Sequence, residues 1–412
     1  MVEPATAAAF SLLSAEAVRQ RCHRLLAFGL DGKLQHFTIE LDRLDAAAEL
    51  VLESTRRRYP SLDVPMHSRW RHFAVDGEDR WAKLTGAMAW HDAAERARAA
   101  FDLVIVSVLL DAGADRRWRY LDAATGKSIA RSEGLALASL EMFAAGAFCD
   151  DRQRPLAVDA AALRRTTRAA LCGHFQVSGS NPLPDIDGRL RLLHRLSEVV
   201  AARPDVFALA DRPRPGGLFD YLVTRADGNR LAAPRVLAEV LRHLGPIWPS
   251  RLELAGVPLG DCWHYPALTT ADATSGLVPL HKLSQWLTYS LIEPLQAAGL
   301  AVVDINGLTG LAEYRNGGLL IDAGVLCLRN PADAGTAHAV GSPLVVEWRA
   351  LTVALLDQLA ERVRRRLNQD AAALPLAKIL EGGTWAAGRQ LAASLRPDAA
   401  PPLSVLSDGT VF

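Results

Sequence analysis

The stretch from residue 304 to residue 326, DINGLTGLAEYRNGGLLIDAGVL, carries the side chains best suited to chemistry. Glu313 and Asp322 lie nine residues apart in it, each beside apolar neighbours. Two carboxyl groups in one site can share acid and base roles, or stabilise positive charge that develops on a substrate. We therefore take Glu313 and Asp322 as candidate catalytic residues. The alternative is that Glu313 and Arg315 are surface residues and that Asp322 pairs with an arginine.

The spacing of apolar residues in this stretch predicts two helices joined by a turn. GLTGLAEYR has helical spacing, and LLIDAGVLCL continues it after NGG. Two adjacent glycines disfavour a continuous helix by roughly 1 kcal/mol each relative to alanine. We predict a helical hairpin with Glu313 and Arg315 near its corner.

Residues 275 to 295 are predicted to form a helix with Ser275 as its N-cap and a stripe of leucines facing the core. Polar side chains at positions i, i+4 and i+7 or i+8 line another face, where they can converge on a ligand. They are His281, Gln285, Thr288 and Tyr289. The alternative is a solvated polar face.

Other segments combine aromatic, basic and acidic residues. HSRWRHF and LGDCWHYP suit a site that stacks a flat polar group and hydrogen-bonds its edge. An amphipathic helix is predicted over residues 346 to 367, and it carries an arginine near its start, where it can reach such a site. The predicted core stripe of this helix is Trp348, Leu351, Leu355, Leu359 and Val363. Partly buried structural roles are the alternative for all of them. The candidate binding residues from these segments are Arg69, Trp70, Asp261, Trp263 and Arg349.

The elements that position these residues are mainly helical. Apolar residues recur every three or four positions in AEAVRQRCHRLLAFGL, ELDRLDAAAELVLEST and DGRLRLLHRLSEVVAAR. Strands are predicted at residues 251 to 260 and in the C-terminal PLSVLSDGTVF, with Asp408-Gly409 as a turn. The proline- and glycine-rich segment from 208 to 222 favours a single two-lobed domain, with lobes over residues 1–212 and 213–412.

Composition excludes several classes of function. The 412 residues include 46 basic and 46 acidic side chains, so no net charge draws the protein to nucleic acid or to an anionic membrane. No GxGxxG, P-loop, HExxH or GxSxG motif occurs, and we expect neither a cofactor nor a metal. The five cysteines form no CxxC pair, and the longest apolar run, LVIVSVLL, is too short to span a bilayer. We expect a cytoplasmic protein with a small-molecule substrate.

Ten runs of the chain resemble the family called uracil catabolism protein four. They are HFTIELDRLDAAAE, HSRWRHF, ARSEGLALASLEMF, GPIWP, LGDCW, HKLSQWLTYSLIEPL, LTGLAEYRNGGLL, VEWRALTVALLD, LEGGTWAAGR and SDGTVF. The resemblance implies a role in a uracil-degradation route without the usual reductive steps, which passes through a ribosyl-urea species and releases urea. It also implies a pathway partner similar to GTP cyclohydrolase II.

The segment from Lys282 to Leu326 is similar to the queuosine-nucleotide N-glycosylases of queuosine salvage. The matching positions are Lys282, Gln285, Asp304, Ile305, Leu308, Thr309, Tyr314, Arg315, Gly324, Val325 and Leu326. The resemblance implies a two-lobed helical fold like that of helix-hairpin-helix glycosylases. The catalytic Asp of that family falls on Glu313, and Gly317 stands where its pattern has Pro.

These resemblances favour an N-glycosidase that cleaves ribosyl-urea or its 5′-phosphate, with Glu313 as the catalytic carboxylate. Asp322, Asp261 and His281 are the candidate acids for the leaving urea, Arg315, Arg349 and Lys282 the candidate phosphate ligands, and Trp70 and Trp263 the candidate packing surfaces. Two alternatives stay open. One is an amidohydrolase acting on a ring-opened pyrimidine, and the other is a non-catalytic partner of the cyclohydrolase-like protein.

Overall fold

The computed structural model describes residues 4–111, 117–151, 156–209, 212–248, 252–396 and 398–406. Helices dominate, and each sheet within these ranges is two-stranded. The predicted mainly α fold with small β additions is confirmed. Among the same residues, no helix combines the length and the apolar character that crossing a membrane requires.

The chain forms two compact units, each assembled from segments far apart in sequence. The first unit comprises Met1–His67, Ser250–Gln285 and Asp304–Ser407, and the second comprises Ser68–Pro249, Trp286–Val303 and Asp408–Phe412. The sequence boundary predicted between residues 212 and 213 falls inside the second unit. Long-range packing assembles each unit from separate segments, whereas the predicted lobes divide the chain at one point, so the two lobes stay a prediction.

The first unit holds the segments richest in candidate site residues. Its helices are Pro4–Ser11, Ala15–Leu30, Leu44–Arg58, Tyr314–Asp322, Pro343–Leu367, Leu376–Ile379 and Trp385–Leu395, with the first turn of Lys282–Ala297. Short 3-10 turns are Leu41–Arg43, Ile305–Gly307 and Pro331–Gly335, and Leu380–Thr384 is a π-helical turn. Its strands are Phe37–Ile39, Glu253–Leu254, Val257–Pro258, Cys262–His264, Leu277–Pro279, Leu326–Leu328, Ala337–Ala339 and Ser404–Leu406.

The Pro343–Leu367 helix is the central element of the first unit. Ser342 caps it, accepting a hydrogen bond from the backbone N–H of Val345. Its predicted core stripe is buried, from Trp348 at 1% exposure to Val363 at 1%. The helix packs against Ala15–Leu30, Leu44–Arg58 and Tyr314–Asp322.

The predicted helical hairpin at residues 307 to 328 is wrong. A single helix, Tyr314–Asp322, runs through the NGG sequence, and Leu326–Leu328 is a strand paired antiparallel with Phe37–Ile39. A Cβ atom on Gly317 would lie 2.7 Å from the indole Nε1 of Trp348, so glycine is required for this helix to approach its neighbour. Packing here outweighs the low helix propensity of glycine.

The predicted helix over residues 275 to 295 begins later than expected. Strand Leu277–Pro279 pairs antiparallel with Cys262–His264, and the helix runs from Lys282 to Ala297. His281 lies between them with a φ of 46°, a left-handed backbone that neither element continues. Ser275 is therefore not the N-cap, and its hydroxyl accepts a hydrogen bond from the N–H of Thr270.

The second unit is also helical. Its helices are Arg80–Gly86, Ala93–Leu109, Arg131–Ala144, Ala160–Arg165, Arg168–His174, Ile186–Ala202, Pro204–Phe207, Gly217–Val223 and Ala233–Leu244, with 3-10 turns Arg69–Phe73 and Gly245–Ile247. Its strands are Ala74–Val75, Glu78–Asp79, Arg119–Asp122, Lys127–Ala130, Ala208–Leu209, Arg212–Pro213, Arg230–Ala232 and Ala301–Val303.

Both predicted strand regions contain strands. Glu253–Leu254 and Val257–Pro258 form an antiparallel hairpin, and Ser404–Leu406 pairs in parallel with Ala337–Ala339. The predicted Asp408-Gly409 turn lies outside the described residues.

Candidate functional site

Glu313 is the N-cap residue of the Tyr314–Asp322 helix, and its side chain is only partly buried. Its carboxylate accepts hydrogen bonds from the backbone N–H groups of Arg315, at 2.8 Å, and Asn316, at 2.6 Å. Burial raises the pKa of the Glu313 carboxyl, although these bonds and the charges of Lys282 and Arg315 oppose the rise. Such a carboxyl is better suited to exchanging a proton with a ligand than an ordinary surface carboxylate is.

The chain before Glu313 is held by the amide of Gln285. The backbone N–H of Thr309 donates to Gln285 Oε1 at 3.1 Å, and Gln285 Nε2 donates to the Thr309 hydroxyl. Both ends of the fully buried Gln285 amide contact Thr309, and substrate binding by Gln285 stays a prediction. Its position in the first turn of a helix makes it a fixed support for the segment that leads to Glu313.

Asp261 and Arg349 form a buried ion pair beside this segment. Two bonds of 2.8 Å join the guanidinium to the carboxylate, which also accepts from Trp263 Nε1 at 2.6 Å and from the backbone N–H of Lys282 at 3.0 Å. Burial alone would raise the pKa of Asp261, but Arg349 and these donors lower it to about 2. The ionised Asp261 cannot serve as an acid, and Arg349 Nε extends the network to the carbonyl of Ala312 at 3.3 Å.

His281 and Lys282 lie next to the ion pair. The backbone N–H of His281 donates to the Asp261 carbonyl at 3.2 Å, and its Nε2 lies 3.0 Å from the carbonyl oxygen of Leu12. Burial lowers the pKa of His281, so the ring is neutral. The positive charge of Lys282 offsets part of the rise in the pKa of Glu313 that burial causes, which links the ion-pair region to the helix cap.

Arg315 lies just inside the same helix and is buried. Its Nη1 donates to the carbonyl of Ala399 at 3.1 Å, and its guanidinium lies over the ring of Tyr314, 4.8 Å from the ring centroid. The guanidinium therefore contributes positive charge near Glu313 while being held by the C-terminal segment.

The residues described so far form one cluster in the first unit: Asp261, Trp263, His281, Lys282, Gln285, Thr309, Glu313, Arg315, Asn316 and Arg349. Asp322 does not join this cluster. Arg396 binds it through two hydrogen bonds, of 2.8 and 2.5 Å, at the opposite end of the Tyr314–Asp322 helix. Nine residues at 1.5 Å each separate Glu313 from Asp322 by about 13 Å along the axis, whereas the paired carboxyls of glycosidases lie roughly 5 to 9.5 Å apart. Asp322 thus has the arginine partner named as the alternative, and a catalytic role for it beside Glu313 stays a prediction that this geometry does not favour.

Three further candidates lie in the second unit. Arg69 is fully buried and forms an ion pair with Asp111 at 2.7 Å. Trp70 donates its indole N–H to the carbonyl of Ser290 at 2.7 Å, and Tyr289 is fully buried. Substrate binding by Arg69, Trp70 and Tyr289 stays a prediction.

Two polar side chains that support the cluster, Asn316 and Thr309, are not among the predicted site residues. Asn316 donates from Nδ2 to the carbonyl of Leu311 at 3.3 Å and accepts from the Thr384 hydroxyl at 2.8 Å. Thr309 did appear among the positions shared with the queuosine-nucleotide N-glycosylases, which was a usable signal. The sequence predicts a turn at Asn316, whereas the residue lies in the first turn of the Tyr314–Asp322 helix. Its hydrogen bonds near the helix N-terminus could therefore not be predicted.

No metal-binding arrangement is found within the described part of the chain: no three or more His, Cys, Asp or Glu side chains are grouped to hold an ion. The side chains of the cluster offer one partly buried carboxyl, one ammonium, one guanidinium and a neutral ion pair. A network of this kind can hold a small polar ligand and move one proton.

Comparison with known proteins identifies the relatives of the chain. Residues 11–412 match the family described as "Protein of unknown function (DUF1688)". The chain is 38% identical over 411 residues to "Protein urg3" of Schizosaccharomyces pombe, covering 97% of this chain and 98% of that one. It is 36% identical over 414 residues to "Uracil catabolism protein 4" of Lachancea kluyveri, covering 93% of each. The protein accordingly belongs to the DUF1688 family.

Proposed function

We propose that this protein takes part in uracil catabolism and hydrolyses the N-glycosidic bond of ribosyl-urea or of its 5′-phosphate. The name of the Lachancea kluyveri relative, Uracil catabolism protein 4, supports the pathway. The observation that carries the reaction is the Glu313 carboxyl, which is partly buried and has a raised pKa. The positive charge of Lys282 acts on this carboxyl electrostatically.

The reaction breaks the bond between ribose C1′ and a urea nitrogen and forms a new bond between C1′ and the oxygen of water. Positive charge develops on the sugar as the first bond weakens, and a neighbouring carboxylate stabilises that charge or removes a proton from the attacking water. We assign this role to Glu313. The departing nitrogen gains a proton, so that the products are urea and ribose, or ribose 5-phosphate. General acid and base catalysis of this kind is worth ~10²–10⁴ in rate.

Departure of urea requires a hydrogen-bond donor at the leaving group. Asp261 is ionised, with a pKa of about 2, and Asp322 is bound to Arg396 at the far end of the helix. We assign the donor role to the ammonium group of Lys282, because its charge already acts on Glu313. Donation to the urea oxygen disperses the negative charge that builds on the leaving group.

Binding of the substrate is assigned to two other residues. The indole of Trp263, fixed by its bond to Asp261, offers a flat face to the sugar or to the planar urea. Arg315 is the remaining cation for a 5′-phosphate, because Arg349 is neutralised by Asp261 and acts as a support.

The local resemblance to queuosine-nucleotide N-glycosylases, and with it a helix-hairpin-helix glycosylase-like fold, belongs to the same proposal. Glu313 stands where that family has Asp, so its longer side chain would reach the sugar from a different backbone position. We place the reaction in the cytoplasm, acting on material supplied by a protein resembling GTP cyclohydrolase II.

The direct test incubates the purified protein with ribosyl-urea and, separately, with its 5′-phosphate. Urea and free sugar are both measured against a control without enzyme, and we expect them in equal amounts from at least one substrate. Absence of urea from both substrates contradicts the proposal. Ammonia or carbamate without free sugar would indicate an amidohydrolase, and turnover only after addition of the cyclohydrolase-like protein would indicate a non-catalytic partner.

A further inference from the structure

His281 carries a buried nitrogen atom whose role the proposed chemistry leaves open. The side chain is 1% exposed, and its Nε2 lies 3.0 Å from the carbonyl oxygen of Leu12. A carbonyl oxygen only accepts hydrogen bonds, so Nε2 must carry the hydrogen. In a neutral imidazole the other nitrogen, Nδ1, is then a bare acceptor.

Nδ1 of His281 is buried and has no hydrogen-bond partner within the described ranges of the chain. Buried polar atoms in folded proteins are nearly always hydrogen-bonded, and an exception calls for a specific explanation. Protonation of Nδ1 does not resolve the matter, because burial and the nearby positive charge of Arg349 both oppose it. The atom therefore presents a lone pair to whatever group lies against it.

Hydrogen bonds of both the ring and the backbone hold His281 in place. Its Nε2 is bound to Leu12, and its backbone N–H donates to the carbonyl of Asp261 at 3.2 Å. The next N–H along the chain, that of Lys282, donates to the Asp261 carboxylate at 3.0 Å. The left-handed backbone at His281, with φ of 46°, is uncommon for a residue other than glycine and concentrates at ligand sites. An acceptor held this rigidly is preorganised for one direction of approach.

A bare acceptor selects ligands that offer hydrogen atoms. Phosphate dianions and carboxylates have none to give, whereas a ureido group has N–H donors and ribose has hydroxyl donors. Of these two groups, the ureido group is the better match for His281. Lys282 is the next residue along the chain, and the proposed function assigns its ammonium group to the urea oxygen. The amide edge of urea then presents oxygen to Lys282 and N–H to His281.

We propose that His281 Nδ1 accepts a hydrogen bond from an N–H of the ureido group and so determines specificity for a ureido leaving group. This inference rests on the proposed function. It reverses the role first considered for His281, because the ring acts as an acceptor and not as an acid.

The test uses the full-length protein labelled with [¹⁵N]histidine and observes the ring nitrogens by NMR. We expect His281 to show a neutral ring with hydrogen on Nε2, and its Nδ1 resonance to move towards the hydrogen-bonded position on addition of urea or ribosyl-urea. Ribose alone should leave it unmoved. A Nδ1 resonance that responds only to ribose, or that is already hydrogen-bonded in the free protein and unchanged by urea, overturns the proposal.

Two variants separate the ends of the ring. His281→Gln keeps an amide donor near the position of Nε2 and loses the acceptor at Nδ1, while His281→Asn keeps an oxygen near Nδ1 and tolerates a left-handed backbone. We expect the KM for ribosyl-urea to rise roughly tenfold in His281→Gln, with kcat little changed, and to rise less in His281→Asn. Equal KM values, or a higher value in His281→Asn, contradict the acceptor role. The wild-type NMR titration decides the matter if either variant misfolds.

The two levels of proposal fail in different ways. Urea release by wild-type protein with an unmoved Nδ1 resonance overturns the acceptor role of His281 alone. No release of urea from ribosyl-urea or its phosphate overturns the proposed function.

Discussion

The buried ion pair between Asp261 and Arg349 should contribute measurably to stability, and Asp261→Asn is the perturbation that tests it. The pKa of Asp261 falls from 3.8 to about 2 in the folded protein. At 1.36 kcal/mol per pKa unit, this lowering favours the folded state by about 2 kcal/mol. Asp261 is 7% exposed and Arg349 1%, so solvent screening removes little of this. Because the variant also removes the carboxylate charge that is paired with the buried Arg349, we expect a total loss of about 2 to 4 kcal/mol.

The pH dependence of this loss has a definite sign. The folded-state pKa is lowered, so the stabilisation is complete above pH 3.8 and disappears as the pH falls towards 2. Guanidinium chloride unfolding followed by tryptophan fluorescence, at pH 7 and at several values below pH 4, measures both the loss and its decline. Wild type and Asp261→Asn should converge at the acid end.

The matched control is an exposed ion pair in the same unit. Glu53 and Arg57 are 2.6 Å apart, but their side chains are 68% and 56% exposed. Glu53→Gln should cost less than about 0.5 kcal/mol. The reasoning is refuted if Asp261→Asn costs no more than Glu53→Gln at pH 7, or if its free energy of unfolding keeps a constant offset from wild type down to pH 2.

Three further outcomes are expected. Gly317→Ala should destabilise by about 1 to 3 kcal/mol in thermal unfolding, because its Cβ would meet an indole nitrogen at 2.7 Å; Gly173→Ala, in a helix with open space around it, should be neutral or stabilising. Gln285→Leu should cost about 1 to 3 kcal/mol in the same assay by removing both hydrogen bonds between the Gln285 amide and Thr309, and a loss below 0.5 kcal/mol would contradict its supporting role. Glu313→Gln should gain stability relative to wild type as the pH rises above 4.5, because burial raises the pKa of the native carboxyl; melting temperatures at pH 4 and pH 8 that differ by the same amount would contradict this.

Helical segments with clear periodicity were predictable from the sequence. AEAVRQRCHRLLAFGL corresponds to the Ala15–Leu30 helix, and the core stripe of the Pro343–Leu367 helix is buried as expected. In both, the pattern of apolar residues directly reports which face meets the core, and a serine cap marks the start.

The structure around Glu313 was not predictable in the same way. Low helix propensity at Gly317 and Gly318 suggested a turn, whereas the contact of Gly317 with the Pro343–Leu367 helix makes glycine necessary inside a helix. A single sequence does not reveal which distant helix lies against a glycine. The same holds for Asp322, whose partner Arg396 is 74 residues away.

The cluster of side chains was partly predictable. Asp261, Trp263, Lys282 and Arg349 were nominated from mixed aromatic and polar segments or from resemblance, and hydrogen bonds to Asp261 join all of them. Their separate roles depend on which partner each one finds, and that is a property of the fold. Asp261 is buried beside an arginine and has a lowered pKa, whereas Glu313 is partly exposed and has a raised pKa.

The most direct test of the central claim is the rate of urea release from ribosyl-urea, or from its 5′-phosphate, by wild type and by Glu313→Gln. Asp322→Asn is the matched control, since it changes a carboxyl of the same helix that binds Arg396. We expect Glu313→Gln to lower kcat by ~10²-fold or more and Asp322→Asn to retain most of the wild-type rate. Release of urea at the wild-type rate by Glu313→Gln, in a protein with an unchanged circular dichroism spectrum, would contradict the assignment of Glu313 as the catalytic carboxylate.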